Sequence, residues 1–298
     1  MKTTALIVTF NRLEKLKQSW AATAALPFDH IVIVDNASTD DTPVWLSQLD
    51  DTRLQVIRVD QNSGGAGGFK LGAEFITTQV DTDWVFMFDD DAYPSVDLLT
   101  RFSELKYSDY IAYCCRVLDK QGSLCKMNVP FSKIPASLIQ TFDYIARPER
   151  YVPTEDEASD VVTFSFVGAI IRKDILAANI QAILPELFIY YDDLYFSYRL
   201  SQQGYRFRYS PELLFLHDVP PPKRGGTPPW KVYYLTRNLL LSKLFFNKGE
   251  RPYSFGAIML RLVKYLISTF TQSNKWEYIK YVTKGIVDGI LCKSGKQH

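Results

Sequence analysis

The 298-residue sequence contains no long uncharged apolar run. No stretch reaches the roughly 18 apolar residues that a membrane-spanning helix needs, so we expect no transmembrane helix. The first ten residues lack the basic start and the small-residue cleavage site of an export signal. The sequence therefore predicts a cytoplasmic protein.

Cysteine is also scarce. The four cysteines show no paired metal-ligand spacing, which argues against a structural zinc site. Two of them, Cys114 and Cys115, lie in an apolar run that is typical of a buried strand. Reduced thiols in the cytoplasm are the simplest interpretation.

The net charge is only +1, and we expect no nucleic-acid partner. The charge is unevenly distributed, however. The segment from Lys231 to His298 contains twelve Lys or Arg and three acids, which gives it a net charge of about +9. The preceding residues therefore carry about −8. These basic residues alternate with large apolar ones, which favours a membrane surface. A solvated basic face, a dimer interface and core packing are the alternatives.

Short apolar runs alternate with helical patterns through the first hundred residues. Runs at 4–9, 31–34, 54–59 and 84–88 predict strands, and patterns at 13–24 and 69–78 predict helices. Such alternation indicates an α/β fold with a mostly parallel sheet and helices on both faces. In such sheets ligands bind outside the carboxyl ends of the strands.

The last third of the chain has a different pattern. Prolines and glycines at 220–222 and 225–229 predict a flexible loop, and helical apolar spacing follows at 230–246 and 255–270. We therefore expect a catalytic domain over residues 1–229 and a basic, amphipathic helical extension over 230–298.

Three consecutive acids, Asp89, Asp90 and Asp91, directly follow the apolar run 84–88. On an extended backbone Asp89 and Asp91 point to the same side, where both can bind one hard cation. A solvated acidic turn is the alternative, but the position at a strand end favours a metal. A cation held in this way can neutralise the charge on a departing diphosphate.

A glycine-rich stretch, residues 62–69, joins the third predicted strand to a helix. Glycines let the backbone approach a ligand, and the start of a helix favours anions. The stretch is not a Walker loop, because no Gly-Lys-Ser/Thr follows. It is also a poor Rossmann fingerprint, because it follows the third strand and Lys70 replaces the last glycine. A structural tight turn is the alternative.

Polar residues also occur at other predicted strand ends. Residues 9–12 and 35–38 follow the first two strands, and Phe10 could stack on a base. His217 follows a later apolar run and is a candidate third metal ligand, although a lone histidine is more often structural. Asp192 and Asp193 begin a predicted helix, where such carboxylates cap the helix or remove a proton from an acceptor hydroxyl.

With these motifs in order, the chain resembles the inverting nucleotide-sugar transferases of family 2, which have the GT-A fold, over about residues 3–240. The resemblance implies that Asp89, Asp91 and His217 hold Mn²⁺ or Mg²⁺ and that Asp193 is the catalytic base. It implies a UDP-sugar donor on the turns after the first strands and on the glycine-rich stretch. The expected donor-binding residues are Thr9, Phe10, Arg12, Asp35, Asn36, Asn62, Gly64, Gly65, Lys70 and Asp90. The expected acceptor residues are Phe166, Tyr191 and Asp192.

Within that family the chain resembles the bacterial galactofuranosyltransferases. The similarity lies in residues 9–12 and 62–69, in the Asp-Asp-Asp-Ala of 89–92, and in Tyr233-Tyr234 with Arg237-Asn238. Two features differ, since residues 163–168 lack the tryptophan pair of those enzymes and Tyr191 replaces a tryptophan.

The resemblance implies transfer of galactofuranose from UDP-galactofuranose to a saccharide or lipid-linked saccharide in cell-surface polysaccharide synthesis. We expect the enzyme to lie at the inner face of the cell membrane, held there by its C-terminal helices. The chain could also form a homo-oligomer. The alternatives are a rhamnosyltransferase that uses dTDP-rhamnose, a nucleotidyltransferase, and a decayed domain that only binds carbohydrate or lipid.

Overall fold

The computed structural model describes residues 1–105, 109–219 and 228–297. Most of the flexible loop predicted at 220–229 therefore lies outside the described residues. Within them, strands form at β1 (Thr3–Thr9), β2 (His30–Asp35), β3 (Leu54–Arg58), β4 (Trp84–Asp89), β5 (Ala92–Pro94), β6 (Ala112–Leu118), β7 (Ser159–Val161), β8 (Ala169–Arg172) and β9 (Phe207–His217).

These nine strands of the described ranges build one sheet in the order β3-β2-β1-β4-β8-β6-β9-β5, with β7 paired to β9. Strands β1 to β4 are mutually parallel, whereas β8 runs antiparallel between β4 and β6. The chain moves outward from β1 to β3 and then returns to place β4 on the other side of β1. The carboxyl ends of β1, β2 and β4 thus meet at one edge, where such sheets bind ligands.

Helices cover both faces of this sheet. They are α1 (Leu13–Ala24), α2 (Thr42–Leu46), α3 (Gly64–Gln79), α4 (Leu98–Ser103), α5 (Leu138–Ala146), α6 (Lys173–Ala178), α7 (Asp192–Gln202), α8 (Pro229–Phe245), α9 (Phe255–Ser268) and α10 (Lys275–Ile290). Alternate residues of β1 point to opposite faces: Leu6 and Val8 pack in the core that includes α3, and Ala5 and Ile7 in the opposite core. The predicted α/β fold with flanking helices is confirmed.

The predicted C-terminal helices are present, and α8 is largely buried. Helix α10 packs closely on α8 because Gly285 and Gly289 leave no room for a Cβ beside the backbone oxygens of Tyr233 and Arg237. Helix α8 is therefore part of the folded body of the protein. Over the described ranges no helix is long and apolar enough to cross a bilayer.

Candidate metal centre and transferase site

An acidic cluster forms where β4 ends. Asp89 is the last residue of β4, and β5 then pairs with β9 so that Ala92 lies opposite His217. This pairing brings His217 Nε2 to 3.2 Å from Asp91 Oδ1. One possible ligand atom from each of Asp89, Asp91 and His217 lies within 4.8 Å of the others. Two carboxylates and an imidazole at this spacing fit one divalent cation.

Within this cluster, nearby positive charge does not balance the negative charge of Asp89. Burial and then the charge of Asp91 raise the pKa of Asp89 to about 7. Burial also opposes the charge of Asp91, but hydrogen bonds from His217 and Arg12 lower the pKa of Asp91. In turn, although burial opposes its charge, the bond to Asp91 raises the pKa of His217 to about 10. A bound cation would relieve the desolvation and repulsion at Asp89, so the residues fit a metal.

The ring of His217 is oriented from behind by residues that the sequence analysis did not identify. His217 Nδ1 lies 2.8 Å from Asn128 Oδ1 and 3.8 Å from Cys125 Sγ. Because an amide oxygen only accepts, Nδ1 carries a proton there and Nε2 is the nitrogen that faces the carboxylates. Asn128 is 89 residues away in the sequence, so no local pattern reveals the contact.

The turn after β1 closes over the acids. Thr9 Oγ1 donates to Asp90 Oδ2 at 2.8 Å, and the Phe10 amide is 3.4 Å from the same oxygen. Arg12 Nη1 donates to Asp91 Oδ2 at 2.6 Å and lies 3.4 Å from Asp90 Oδ1. The Phe10 ring is 37 % exposed and free to meet a planar group. Arg12, expected on the donor, is therefore bound to the acidic cluster in this structure.

Asp35 closes β2 and is completely buried. Its Oδ1 accepts from the Ser38 amide at 2.9 Å. Its Oδ2 has no hydrogen-bond partner among the described residues, although Arg58 Nε lies 3.6 Å away. A buried carboxylate oxygen without a donor is costly, and a ligand N–H would satisfy it.

The neighbouring asparagines shape the glycine-rich turn. Asn36 Nδ2 donates to the Gly64 carbonyl at 2.8 Å, and Asn62 Oδ1 accepts from the Gly64 amide at 2.7 Å. Gly64 has φ +76° and no room for a Cβ against the Phe188 carbonyl. At Gly65, by contrast, an added Cβ would meet nothing within 4 Å. A ligand can thus approach at Gly65, while Asn36 uses both its amide nitrogen and its oxygen, and Asn62 its oxygen, within the turn.

Two lysines are relevant to the proposed donor site. Lys70, expected on the donor, places its Nζ 3.1 Å from Gln181 Oε1. Lys231, at the start of α8, lies close enough to the cluster for Asp91 and Asp89 to affect its pKa. Burial and the nearby Arg12 lower that pKa despite the two acids. Lys231 follows the predicted loop by a few residues, and nothing local in the sequence linked it to the acids.

Asp193 lies in the first turn of α7 and is held by several donors. Its Oδ1 accepts from the Leu194 amide at 2.7 Å, and the Ser165 hydroxyl and the Phe166 amide also bond to it. Burial raises the pKa of Asp193, and these bonds oppose the shift. Ser165 Oγ also accepts from Asn128 Nδ2 at 3.0 Å, so Asn128 contacts both His217 and a residue that lowers the pKa of Asp193.

Asp192 lies within electrostatic range of both Asp193 and Asp89. Burial, then the charge of Asp193, raises the pKa of Asp192 well above its usual range, and Asp89 adds to this effect. The carboxylate groups of Asp192 and Asp193 are therefore neighbours within the site. The preceding residue, Tyr191, stacks on Tyr195 with ring centroids 5.5 Å apart.

Phe166 does not lie where the resemblance implied. Its side chain is only 3 % exposed and packs against Phe69 and Phe196, with ring centroids 4.8 and 5.9 Å away. The ring therefore belongs to the core and not to an acceptor surface. The contribution of Phe166 to the site is its backbone amide, which bonds to Asp193.

The sheet and the acids at its edge after β4 are consistent with an enzyme of the GT-A type. Residues 4–178 match the family described as Glycosyl transferase family 2. This match covers more than half of the chain, so the chain belongs to that family.

Three solved structures are similar to the chain. PcManGT from Pyrobaculum calidifontis, a mannosyltransferase in complex with GDP-Man and Mn²⁺, has a TM-score of 0.57 at 15 % identity, over 98 % of this chain and 88 % of its own. GalNAc-T7 with UDP, GalNAc and Mn²⁺ has a TM-score of 0.56 at 13 % identity, over 91 % of this chain and 58 % of its own. S. aureus TarS 1-349 has a TM-score of 0.50 at 15 % identity, over 98 % of this chain and 72 % of its own. These likenesses show the fold. No curated protein matches the chain.

Proposed function

We propose that this family 2 glycosyltransferase transfers galactofuranose from UDP-galactofuranose to a saccharide or lipid-linked saccharide, with inversion at the anomeric carbon. The observation that carries the proposal is the acidic cluster with the buried pair Asp192–Asp193 beside it. That arrangement combines a place for a diphosphate with a base for an incoming hydroxyl. A rhamnosyltransferase that uses dTDP-rhamnose is the second candidate, and membership of the family disfavours a nucleotidyltransferase.

In this proposal Asp89, Asp91 and His217 hold Mn²⁺ or Mg²⁺. The ion, when bound, would neutralise charge on the leaving diphosphate. Two of the similar structures contain Mn²⁺ together with a nucleotide or nucleotide sugar, which supports the assignment. Lys231 supplies further positive charge at the same place, because it lies in electrostatic range of Asp89 and Asp91.

The chain's own residues would then bind and orient the donor. The exposed Phe10 ring can stack on the base, and Asp35 Oδ2 can accept from a base N–H. The open side of Gly65 admits the rest of the donor. Asn36 and Asn62 act indirectly in this scheme, because they shape the turn.

Asp193 removes the proton from the acceptor hydroxyl in this proposal, and the oxygen attacks opposite the diphosphate. The pKa of Asp193 is raised by burial, which brings it closer to a working pH. The Ser165 hydroxyl and the Phe166 amide hold its carboxylate in place. Asp192 and Tyr191 lie next to it and are the proposed acceptor contacts.

A donor screen tests this proposal. The protein is incubated with Mn²⁺ and UDP-galactofuranose, UDP-galactopyranose or dTDP-rhamnose, and the released nucleotide diphosphate is measured. We expect UDP release mainly from UDP-galactofuranose. Release of dTDP alone would transfer the assignment to rhamnose, and pyrophosphate release from UTP and a sugar phosphate would reinstate a nucleotidyltransferase.

We also propose that residues 1–229 form the catalytic domain and that the segment 230–298, whose helix α8 packs into that domain, holds it on the inner face of the cell membrane. An exposed apolar surface supports this attachment and includes α5, which lies outside the tail. The surface comprises the exposed side chains Leu138, Ile139, Phe142, Ile145, Phe255, Val263, Ile267 and Phe270. The two helices adjoin where Gly256 of α9 lies against Leu138 of α5.

The charges near this surface favour an anionic lipid surface as its occupant. Residues 255–276 carry three basic side chains and no acid, and they end at Trp276, which is 87 % exposed. The buried side of α9 shares a core cluster with Tyr191. The apolar surface therefore lies behind the proposed acceptor site, which suits a lipid-linked acceptor.

Charged substitutions on this surface should weaken membrane binding. We expect Phe142→Glu with Ile267→Glu to lower binding to vesicles of phosphatidylglycerol and phosphatidylcholine at least about tenfold, because two apolar contacts become anionic. Co-sedimentation measures this, and Val96→Glu, at an exposed apolar residue elsewhere, is the control. Unchanged vesicle binding would contradict the proposal. If the wild type forms a dimer and the double variant is a monomer, the surface would instead be the interface with a second copy of the chain.

A further inference from the structure

The segment just before Asp192 has an unusual backbone. Phe188, Tyr190 and Tyr191 have φ values of +65°, +69° and +68°, in the left-handed region that non-glycine residues rarely adopt. The Ile189 amide donates to the Leu187 carbonyl at 2.8 Å, which closes a three-residue turn of the strained kind. Such a backbone persists only when its surroundings hold it there.

Two adjacent buried residues of α8 bind the carbonyls of this segment. Asn238 Nδ2 lies 3.0, 2.8 and 3.0 Å from the carbonyl oxygens of Leu187, Ile189 and Tyr190. Arg237 Nη2 donates to the Leu187 carbonyl at 2.9 Å. Neither side chain is exposed. These donors satisfy carbonyls that the irregular backbone cannot pair within a helix or strand.

The donors are themselves held in position. Arg237 Nε donates to Asn238 Oδ1 at 2.9 Å, so the amide group is oriented with its nitrogen toward the segment. The Arg237 guanidinium lies 4.7 Å from the centre of the Tyr234 ring, and Phe188 stacks on that ring at 5.0 Å. Tyr195 of α7 donates to the Asn238 carbonyl at 3.0 Å.

The glycine-rich turn contacts the other side of the same segment. The Ala66 amide donates to the Phe188 carbonyl at 3.2 Å, and Gly64 leaves no room for a side chain there. The segment thus lies between α8 and the turn proposed to meet the donor. It leads at once into Asp192, so a relaxed φ at Tyr191 would redirect the start of α7.

We propose that Arg237 and Asn238 are positioning residues that hold residues 187–191, with their three positive-φ residues, in the observed conformation and thereby place Asp193 for the reaction. The inference rests on the proposed role of Asp193. It assigns a role to the Arg-Asn pair of α8, which contacts neither the acidic cluster nor Asp193 in the hydrogen bonds described above.

Asn238→Asp tests the proposal, because it keeps the shape of the side chain and replaces the amide nitrogen with an oxygen that faces three carbonyl oxygens. We expect UDP release from UDP-galactofuranose and Mn²⁺, with water as the acceptor, to fall roughly 100-fold in kcat. The affinity for UDP with Mn²⁺ should be unchanged. Amide hydrogen exchange should become faster over residues 186–195 and not across the sheet.

Two further variants complete the experiment. Thr236→Val is the matched control, since the Thr236 hydroxyl donates to carbonyls of its own helix, at Val232 and Tyr233. It should leave kcat and local exchange unchanged. Arg237→Lys keeps the charge but loses the forked donor, and it carries the test if Asn238→Asp does not fold.

The outcomes separate this inference from the proposed function. Wild-type exchange over 186–195 in both Asn238→Asp and Arg237→Lys would overturn the inference. So would faster exchange spread evenly over the whole protein, which would mean a general structural role. If the wild type releases no nucleotide diphosphate from any donor, the proposed function fails, and local exchange still decides whether the pair holds the segment.

Discussion

Asp193→Asn should lower kcat for sugar transfer by about 10²- to 10⁴-fold, because the amide cannot take the proton of the acceptor hydroxyl. Binding of UDP with Mn²⁺ should be unchanged, since Asp193 is held by Ser165, Phe166 and Leu194 on the acceptor side of the site. Nucleotide release and calorimetric UDP binding measure the two quantities.

The pH dependence gives a second measure of the same residue. A base acts in its deprotonated form, so the rate is lost as the pH falls through the pKa of Asp193. Because burial raises that pKa above its usual value of 3.8, the acid limb of the wild-type profile should lie above pH 4.

The control for Asp193 is Asp174→Asn, another acid in the first turn of a helix, which lies in α6 and should leave the rate unchanged. Asp192→Asn should act mainly on the KM for the acceptor. Undiminished turnover in Asp193→Asn would refute the assignment of the base, whatever the donor.

Asp89→Asn should produce two effects of opposite sign. It should reduce Mn²⁺-dependent turnover by more than about 100-fold, because one of the proposed metal ligands is lost. It should also make the metal-free protein more stable at pH 7.5. Burial and the charge of Asp91 make an ionised Asp89 costly, and an uncharged amide avoids that cost.

The sign follows from the raised pKa of Asp89, about 7 in the folded protein against 3.8 as its usual value. A raised pKa contributes stability below the unfolded value, and this contribution is lost as the pH rises through about 7. The gain in folding stability caused by Asp89→Asn in the metal-free protein should therefore appear between about pH 4 and pH 7.5. We expect about 4 kcal/mol at the upper end, since the shift from 3.8 to about 7 is about three pKa units and one unit corresponds to about 1.4 kcal/mol.

Thermal unfolding with and without Mn²⁺ measures both effects of Asp89→Asn. The wild type should gain stability on adding Mn²⁺, whereas the variant should gain little. Asp97→Asn, at an exposed acid near the start of α4, is the control. An Asp89→Asn protein that Mn²⁺ still stabilises as it does the wild type would refute the proposed ligand.

Much of the site was predictable because its parts follow strands. The predicted strands at 4–9 and 84–88 agree with β1 and β4 to within a residue at each end. Buried parallel strands have continuous apolar runs, so their ends, and the polar residues there, are visible in the sequence. The acids 89–91 were found in this way, whereas the Asp192–Asp193 pair was proposed from its position at the start of a predicted helix.

The contacts behind these residues were not predictable. Asn128 orients His217 but belongs to a stretch without clear periodicity, and Ser165 affects Asp193 from a distant position that no local pattern links to it. Lys231 lies beside the acids although it is some 140 residues further along the chain. Phe166 was misplaced because an aromatic residue in the sequence looks the same in a core as at a binding surface.

The sequence by itself determined the α/β fold and the acidic end of β4, because apolar periodicity and strand-end polar residues are local features, and the resemblance of its motifs to a known family indicated the family. The tertiary structure alone decided which residues support the chemistry. Arg237 and Asn238 lie on a helix that the sequence analysis assigned to an amphipathic tail, yet they bind the backbone that leads to Asp192. The physical reason is that such hydrogen bonds join residues about 50 positions apart, and no periodicity records where a folded chain brings them together.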